Sequence, residues 1–230
     1  MALLGKAALA MWWDMAPEVR SDFEDWHSHE HFPERLSVPG FRRATRWTDN
    51  SGSEGIFVMY ELDGHEVLSS AAYLAHLNAP TPWSTKMMPH HRNMVRSQCR
   101  VLASFGGSVA RHALTLRLSP KEGQADRLQA AITELAQNLA SRPGLAGVHL
   151  LRHESPPIAQ TTEQKIRGGD KTADWVLVVC GYELHALETL AAKGQGSLSE
   201  TALIEMGAAS ADFSALYGLS NSAVPSDTQN

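Results

Sequence analysis

Residues 37–41 read SVPGF and residues 141–145 read SRPGL. The same corner, Ser-x-Pro-Gly followed by an apolar residue, is written twice in a chain of 230 residues, 104 positions apart. Proline followed by glycine turns the backbone sharply. Each corner therefore predicts a place where a helix gives way to a strand, and the repetition asks whether the rest of the chain repeats as well.

It does, in pattern more than in identity. Sliding the chain by the same offset lays KAALAMWWDM (6–15) on ARHALTLRLS (110–119), both short, apolar and followed by a polar break, as strands are. Next, PEVRSDFEDWHSHEHFPERLS (17–37) falls on KEGQADRLQAAITELAQNLAS (121–141) without a gap. The second of these is an amphipathic helix with Leu128, Ile132, Leu135 and Leu139 on one face. The first is then helical over about 18–30, with Pro33 ending or kinking it. Second strands follow the corners at 41–48 and 145–153, and third strands at 55–62 and 175–184. Helical stretches come next at 65–79 and 185–194, and fourth strands at 98–105 and 210–217. Between the second and third strands the later half carries a long polar segment, SPPIAQTTEQKIRGGDKTAD (155–174), which reads as a mobile loop.

Each half thus has the order β-α-β-β-α-β, the ferredoxin-like arrangement. The predicted fold is α+β, two such repeats packed sheet to sheet, because each sheet's free face needs a cover. The repeats span 1–107 and 108–218, the first with an inserted cap at 80–97, and residues 219–230 read as a disordered tail.

Composition narrows the function classes. The net charge is −5, with 20% charged and 43% hydrophobic residues, so no basic field recruits nucleic acid or an anionic membrane. No stretch reaches the roughly 18 apolar residues of a membrane span. The N-terminus, MALLGKAALAMWWDM, is interrupted by Lys6 and reads as a buried strand rather than a leader. Cys99 and Cys180 sit in apolar runs and are predicted to be free, buried thiols, which suits a reducing cytoplasm.

Function is sought where the two halves disagree. The helix of the second half is Ala, Leu, Gln and Thr; that of the first carries Asp25-Trp26-His27-Ser28-His29-Glu30-His31-Phe32-Pro33-Glu34-Arg35. His27 and His31 share a helix face, and His29 points elsewhere. They could be solvated residues of a polar helix end, metal ligands, or an acid/base pair; the spacing lacks the HExxH pattern, and no metal site is predicted. The segment PTPWSTKMMPHHRNMVRS (80–97) has no counterpart in the other half. Its Trp83, Met87 and Met88 could wall a pocket, and His90, His91, Arg92 and Arg96 could bind polar substituents; an ordinary amphipathic surface helix is the alternative. Tyr60, at a strand end, could donate a phenol proton or simply pack in the core. No phosphate-cradling glycine loop, Ser-His-Asp order or paired carboxylates stand out.

Trp26…Glu30-His31-x-Pro33-Glu34-Arg35-Leu36-x-x-Pro39-Gly40-Phe41 resembles the signature of EthD-like proteins of the dimeric α/β-barrel superfamily. The resemblance is sharp over about 26–47 and topological elsewhere, as if two barrel halves were fused in tandem. It implies a ligand cavity between sheet and helices, with His31 facing it and Glu34 and Arg35 setting its tautomer or holding an oxyanion. The second half, Ala136-Gln137-Asn138-Leu139 at the matching place, has lost the signature, which implies one pocket per chain. Haem-binding members of the superfamily take a histidine from the C-terminal half; here His112, His149, His153 and His185 lack a persuasive helix with an acidic partner, so no cofactor is expected.

The expectation is an enzyme of isomerase, cyclase or lyase type acting on a small hydrophobic carbonyl or aromatic compound. His31 is its acid/base group, with a pKa near working pH, oriented by His27, Glu34 or Arg35, and Trp26 and Trp83 are among the walls. Two alternatives stand beside it: a ligand-binding or assembly protein without catalysis, and cofactor-free oxygenation. Exposed outer strands leave room for a homodimer.

Overall fold

The computed structural model describes residues 3–228, and of 212–214 only the backbone. The first half runs β1 (Ala7–Asp14), α1 (Pro17–Trp26), α2 (Phe32–Leu36), β2 (Phe41–Asp49), β3 (Gly55–Leu62), α3 (Ala71–Asn78), α4 (Pro82–Met87) and β4 (Arg92–Gly106). The second runs β5 (His112–Pro120), α5 (Ala125–Leu139), β6 (Leu145–His153), α6 (Thr162–Arg167), β7 (Trp175–Gly181), α7 (Leu184–Ala191), α8 (Glu200–Met206) and β8 (Ala208–Ala223). The strands close a barrel in the order β1-β3-β2-β8-β5-β7-β6-β4, every described pair antiparallel. Among the described residues no helix is long and apolar enough to cross a membrane.

Side chains alternate in and out along each strand. On β1, Leu9, Met11 and Trp13 point to the helices of the first half, while Ala8, Ala10 and Trp12 point into the barrel. On β7, Trp175, Leu177 and Val179 face the second-half helices, and Val176, Val178 and Cys180 face inward. Both faces are buried, which is why these strands read as continuous apolar runs. Inside the barrel Phe57 stacks between Trp12 and Trp47, with ring centroids 5.0 and 5.1 Å away. Both cysteines are free and buried there, and burial pushes the Cys180 thiol up to about 12.

Closure is the work of β4 and β8, which at 15 and 16 residues are twice the length predicted. The first part of β4 pairs with β1, and from Cys99 onward it pairs with β6. In the same way β8 pairs with β5 up to Gly218 and with β2 up to Ala223. This corrects two expectations. The segment 80–97 is not a separate cap: α4 and a 3₁₀ turn at Met88–His90 occupy its first part, and the rest is the start of β4. The tail predicted from 219 begins as strand and continues into a 3₁₀ turn at Pro225–Thr228; residues 229–230 lie outside the described residues. LSNSA carries little apolar signal because a closing strand needs its backbone groups more than its side chains.

The two Pro-Gly corners do what they predict. Gly40 and Gly144 sit at φ of +99° and +87°, a conformation costly for any residue with a Cβ. A methyl at Gly40 would also stand 2.5 Å from Val67 Cγ2, and one at Gly144 2.6 Å from Ala186 Cβ. Gly40→Ala or Gly144→Ala is expected to cost about 1–3 kcal/mol each, read as a lower urea midpoint with unchanged slope. An unchanged midpoint would show that the corners do not impose this geometry.

Candidate active site

The helix that carries the histidines does not run straight. After α1 it widens into a π-helical turn, His27–His31, in which the Phe32 N–H donates to the His27 carbonyl. Pro33 explains the widening. It has no N–H to give the preceding turn, and its ring would strike the carbonyl four residues back. The wider turn lets the helix resume as α2 with Pro33 in its first turn. His27 and His31 come out on the buried side with ring centroids 5.3 Å apart and planes inclined by 30°, and His29 is exposed.

These side chains line a cavity between the outer face of the first-half strands and the helices above. Its walls are Leu9, Met11, Trp13, Trp26, Tyr60, Tyr73, Met88 and Met94, and its polar groups are His27, His31, His91, Arg35, Arg96, Glu163 and Arg167. The free volume, about 30 Å³, holds about two waters. Of the residues singled out from the sequence, Trp26, His27, His31, Arg35, Tyr60, Met88, His91 and Arg96 therefore meet here. Glu34 stands just behind them, its Oε2 3.7 Å from His31 Nδ1 and 3.2 Å from Arg35 Nη1.

Four others do not line the cavity. Trp83 braces α4 on α1, its indole N–H donating to Asp22 at 3.0 Å. Met87 is buried in the neighbouring core. His90 is exposed, and Arg92 reaches outward to Glu54. A register shift at the start of β4, where Asn93 takes φ +56°, separates Arg92 from Arg96, which strand alternation alone would put on one face. Arg96 is buried, donating to the Tyr73 hydroxyl at 3.1 Å.

The segment predicted as a mobile loop supplies two groups that sequence reasoning missed. Residues 162–167 form α6, closed at its N-terminus by a Thr161/Gln164 capping box and at its C-terminus by Gly168 at φ +81°. It sets Glu163 and Arg167 against the cavity. Arg35 Nη2 pairs with Glu163 Oε1, and Arg167 holds Asp170 at 2.9 Å.

Burial sets the protonation states. It pushes His27 and His31 well below the ordinary histidine range, helped by Arg46 at the first and Arg35 at the second. It takes His91 down to about 3, with Arg167 adding to the effect. Burial also raises the Tyr60 phenol. At neutral pH the cavity holds neutral imidazoles and the neutral Tyr60 phenol beside the Arg35 and Arg167 cations. His31 is thus a neutral base, not a group balanced near its pKa as the sequence suggested.

Buried polar groups in proteins are nearly always paired. Here Trp13 Nε1, His27 Nδ1, His31 Nδ1, Glu34 Oε2, Arg35 Nη1 and Tyr60 OH are buried without a hydrogen bond, all at this one place. Arg35 Nη1 is near Glu34 but poorly aligned with it. Among the described residues no three His, Cys, Asp or Glu side chains gather in a way that could hold a metal ion.

Neither a family model nor a curated relative matches the sequence. Solved structures match in fold. An anthrone oxidase-like protein superimposes with a TM-score of 0.65 at 12% identity, over 98% of this chain and 96% of that one. A candidate monooxygenase from Fusobacterium nucleatum gives 0.60 at 9% identity, over 96% of both chains. Another from Lactobacillus acidophilus gives 0.58 at 11%, over 96% of this chain and 97% of that one. Such neighbours are dimeric α/β-barrel proteins of ferredoxin fold, and at these identities the likeness is one of fold alone.

Proposed function

We propose that the chain is an enzyme that removes a proton from a small, planar carbonyl or aromatic compound, with His31 as the base and no cofactor needed for that step. The observation that carries this reading is the cluster of buried, unpartnered polar atoms around one cavity. His31 Nδ1 faces Glu34 Oε2 at 3.7 Å without a hydrogen bond, and with the ring proton on that side Nε2 is the basic nitrogen left for the substrate. Nε2 accepts a proton from a carbon acidified by a neighbouring carbonyl. The C–H electron pair moves into the ring or carbonyl, and the oxygen becomes an enolate. Arg35 and the Tyr60 hydroxyl meet that charge, and Glu34 steadies the new imidazolium. Return of the proton to another carbon gives an isomerisation; loss of a leaving group gives an elimination.

Oxygenation is the second reading, and the names of the structural neighbours favour it. In it the carbanion is oxidised by O₂: one oxygen atom stays as a new carbonyl and the other leaves as water. Both readings share the first step. Either needs a wall to open, since the cavity admits only water; α4 and α6, which are held by side chains rather than by strand ladders, are the parts that would move.

The strand orders β4-β1-β3-β2 and β8-β5-β7-β6, with β6 lying 104 residues after β2, support the reading of two fused βαββαβ repeats divided near residue 107. The EthD-like motif at 26–41 then marks the working half.

Anthrone is the first probe, because its methylene is acidified by a conjugated ketone. The protein is expected to speed hydrogen–deuterium exchange at that methylene under nitrogen, and His31→Gln to lower the rate about 10²–10⁴-fold with the fold kept. Oxygen uptake in air would select the second reading. An equal rate in His31→Gln would overturn both.

A further inference from the structure

Arg35 is the only described cation placed between His31 and two carboxylates, and what fixes it comes from the far half of the chain. Its Nη2 is taken by Glu163, 128 residues away, and both side chains are about 3% exposed. Glu163 is fixed in turn. Its second oxygen lies 3.6 Å from Arg167 Nη1, and Arg167 is held by Asp170 through Nε at 3.1 Å and Nη2 at 2.9 Å. Three of these four residues belong to α6 and the turn after it. On the other side, Glu34 offers Arg35 a competing site at Nη1 while His76 holds the other Glu34 oxygen at 3.0 Å.

We infer that Glu163 is a positioning residue for the proposed reaction: it commits one edge of the Arg35 guanidinium so that Nη1 stays beside His31 and the cavity. This rests on the proton-abstraction reading. The asymmetry of the chain agrees with it. The β6–β7 connection that carries α6 is long, whereas the matching β2–β3 connection spans only residues 50–54, so only one of the two sheet faces receives such a visitor. With Glu163 removed, the Arg35 guanidinium is free to turn toward Glu34, and its unbonded Nη1 leaves the cavity.

The test uses the full chain without ligand and reads Arg35 directly. In the native protein the Arg35 Nη hydrogens should give separate, slowly exchanging signals in ¹⁵N-resolved spectra. Glu163→Gln should average them and speed their exchange with water at least about tenfold, while Glu163→Asp, which keeps the charge, restores part of the protection. Should Glu163→Gln fail to fold, the Asp variant and Arg167→Gln carry the test, each predicted to loosen Arg35 at a Tm within reach of the native one. Unchanged Arg35 signals in a folded variant overturn the inference. With anthrone as probe, Glu163→Gln should lower kcat more than it raises KM. If the native protein ignores anthrone while Arg35 loosens as described, the reaction reading fails and the positioning stands.

Discussion

Acidifying the protein from about pH 6.5 to about pH 4.5 is expected to remove several kcal/mol of stability, because the fold keeps His27, His31 and His91 neutral while the unfolded chain protonates all three. The sign follows from where the protons go. Above an unfolded pKa of about 6.5 neither state binds a proton at these residues, and the stability is whole. Below it, only the unfolded state gains protons, so it is favoured increasingly until the folded residues titrate, which for His91 is at about 3. Each histidine contributes more than about 1 kcal/mol per pH unit in that window. His149, buried in β6 and pushed down to about 4, adds to the same slope. Urea midpoints measured at pH 7.5 and pH 5 should differ widely, and His91→Gln should narrow the gap. Equal midpoints would mean that the three rings are not buried as neutral groups.

Arg35→Leu is the second large effect, expected to cost about 3–5 kcal/mol. The loss is less that of an ion pair than of compensation for what remains. Glu163 is 2% exposed and would be left as a buried carboxylate whose nearest cation, Arg167, is already shared with Asp170. Removing both partners should therefore hurt less than removing one: Arg35→Leu/Glu163→Leu is expected to recover most of the stability, since two apolar groups of similar size leave no uncompensated charge. A double-mutant cycle in urea checks this. Additive losses would show that the two side chains do not depend on each other.

Much of the fold was legible because it is written in local signals. The paired Ser-x-Pro-Gly corners placed β2 and β6, both of which need glycine's left-handed backbone. Short, continuous apolar runs placed β1, β3 and β7. What escaped is what depends on partners far away. β8 runs past its apolar centre because β2 of the opposite half offers it a ladder, and nothing in LSNSA announces that; β4 starts earlier than predicted because β1 pairs with it from Arg92. The histidine segment stood out since its sister helix lacks one, but the low pKa values did not: burial is a property of the assembled cavity. Glu163 and Arg167 were hidden in a polar stretch too short for helical periodicity. The signal that could have exposed them is Thr161-x-x-Gln164 followed by Gly168, a helix start and stop seven residues apart. Arg92 and Arg96 show the same limit in miniature, being sorted by an irregularity in β4 at Asn93 into an outer ion pair and an inner wall.

The most direct test of the account is the pH dependence of deuterium exchange at the anthrone methylene, followed in the native protein and in His31→Gln, with folding monitored at every pH. A buried neutral His31 acting as base predicts a native rate that stays level from about pH 8 to about pH 5.5, with its acid limb well below the ordinary histidine value, and a rate lower by about 10²–10⁴ in the variant throughout. An acid limb centred near pH 6.5, or a variant as fast as the native protein, would contradict it.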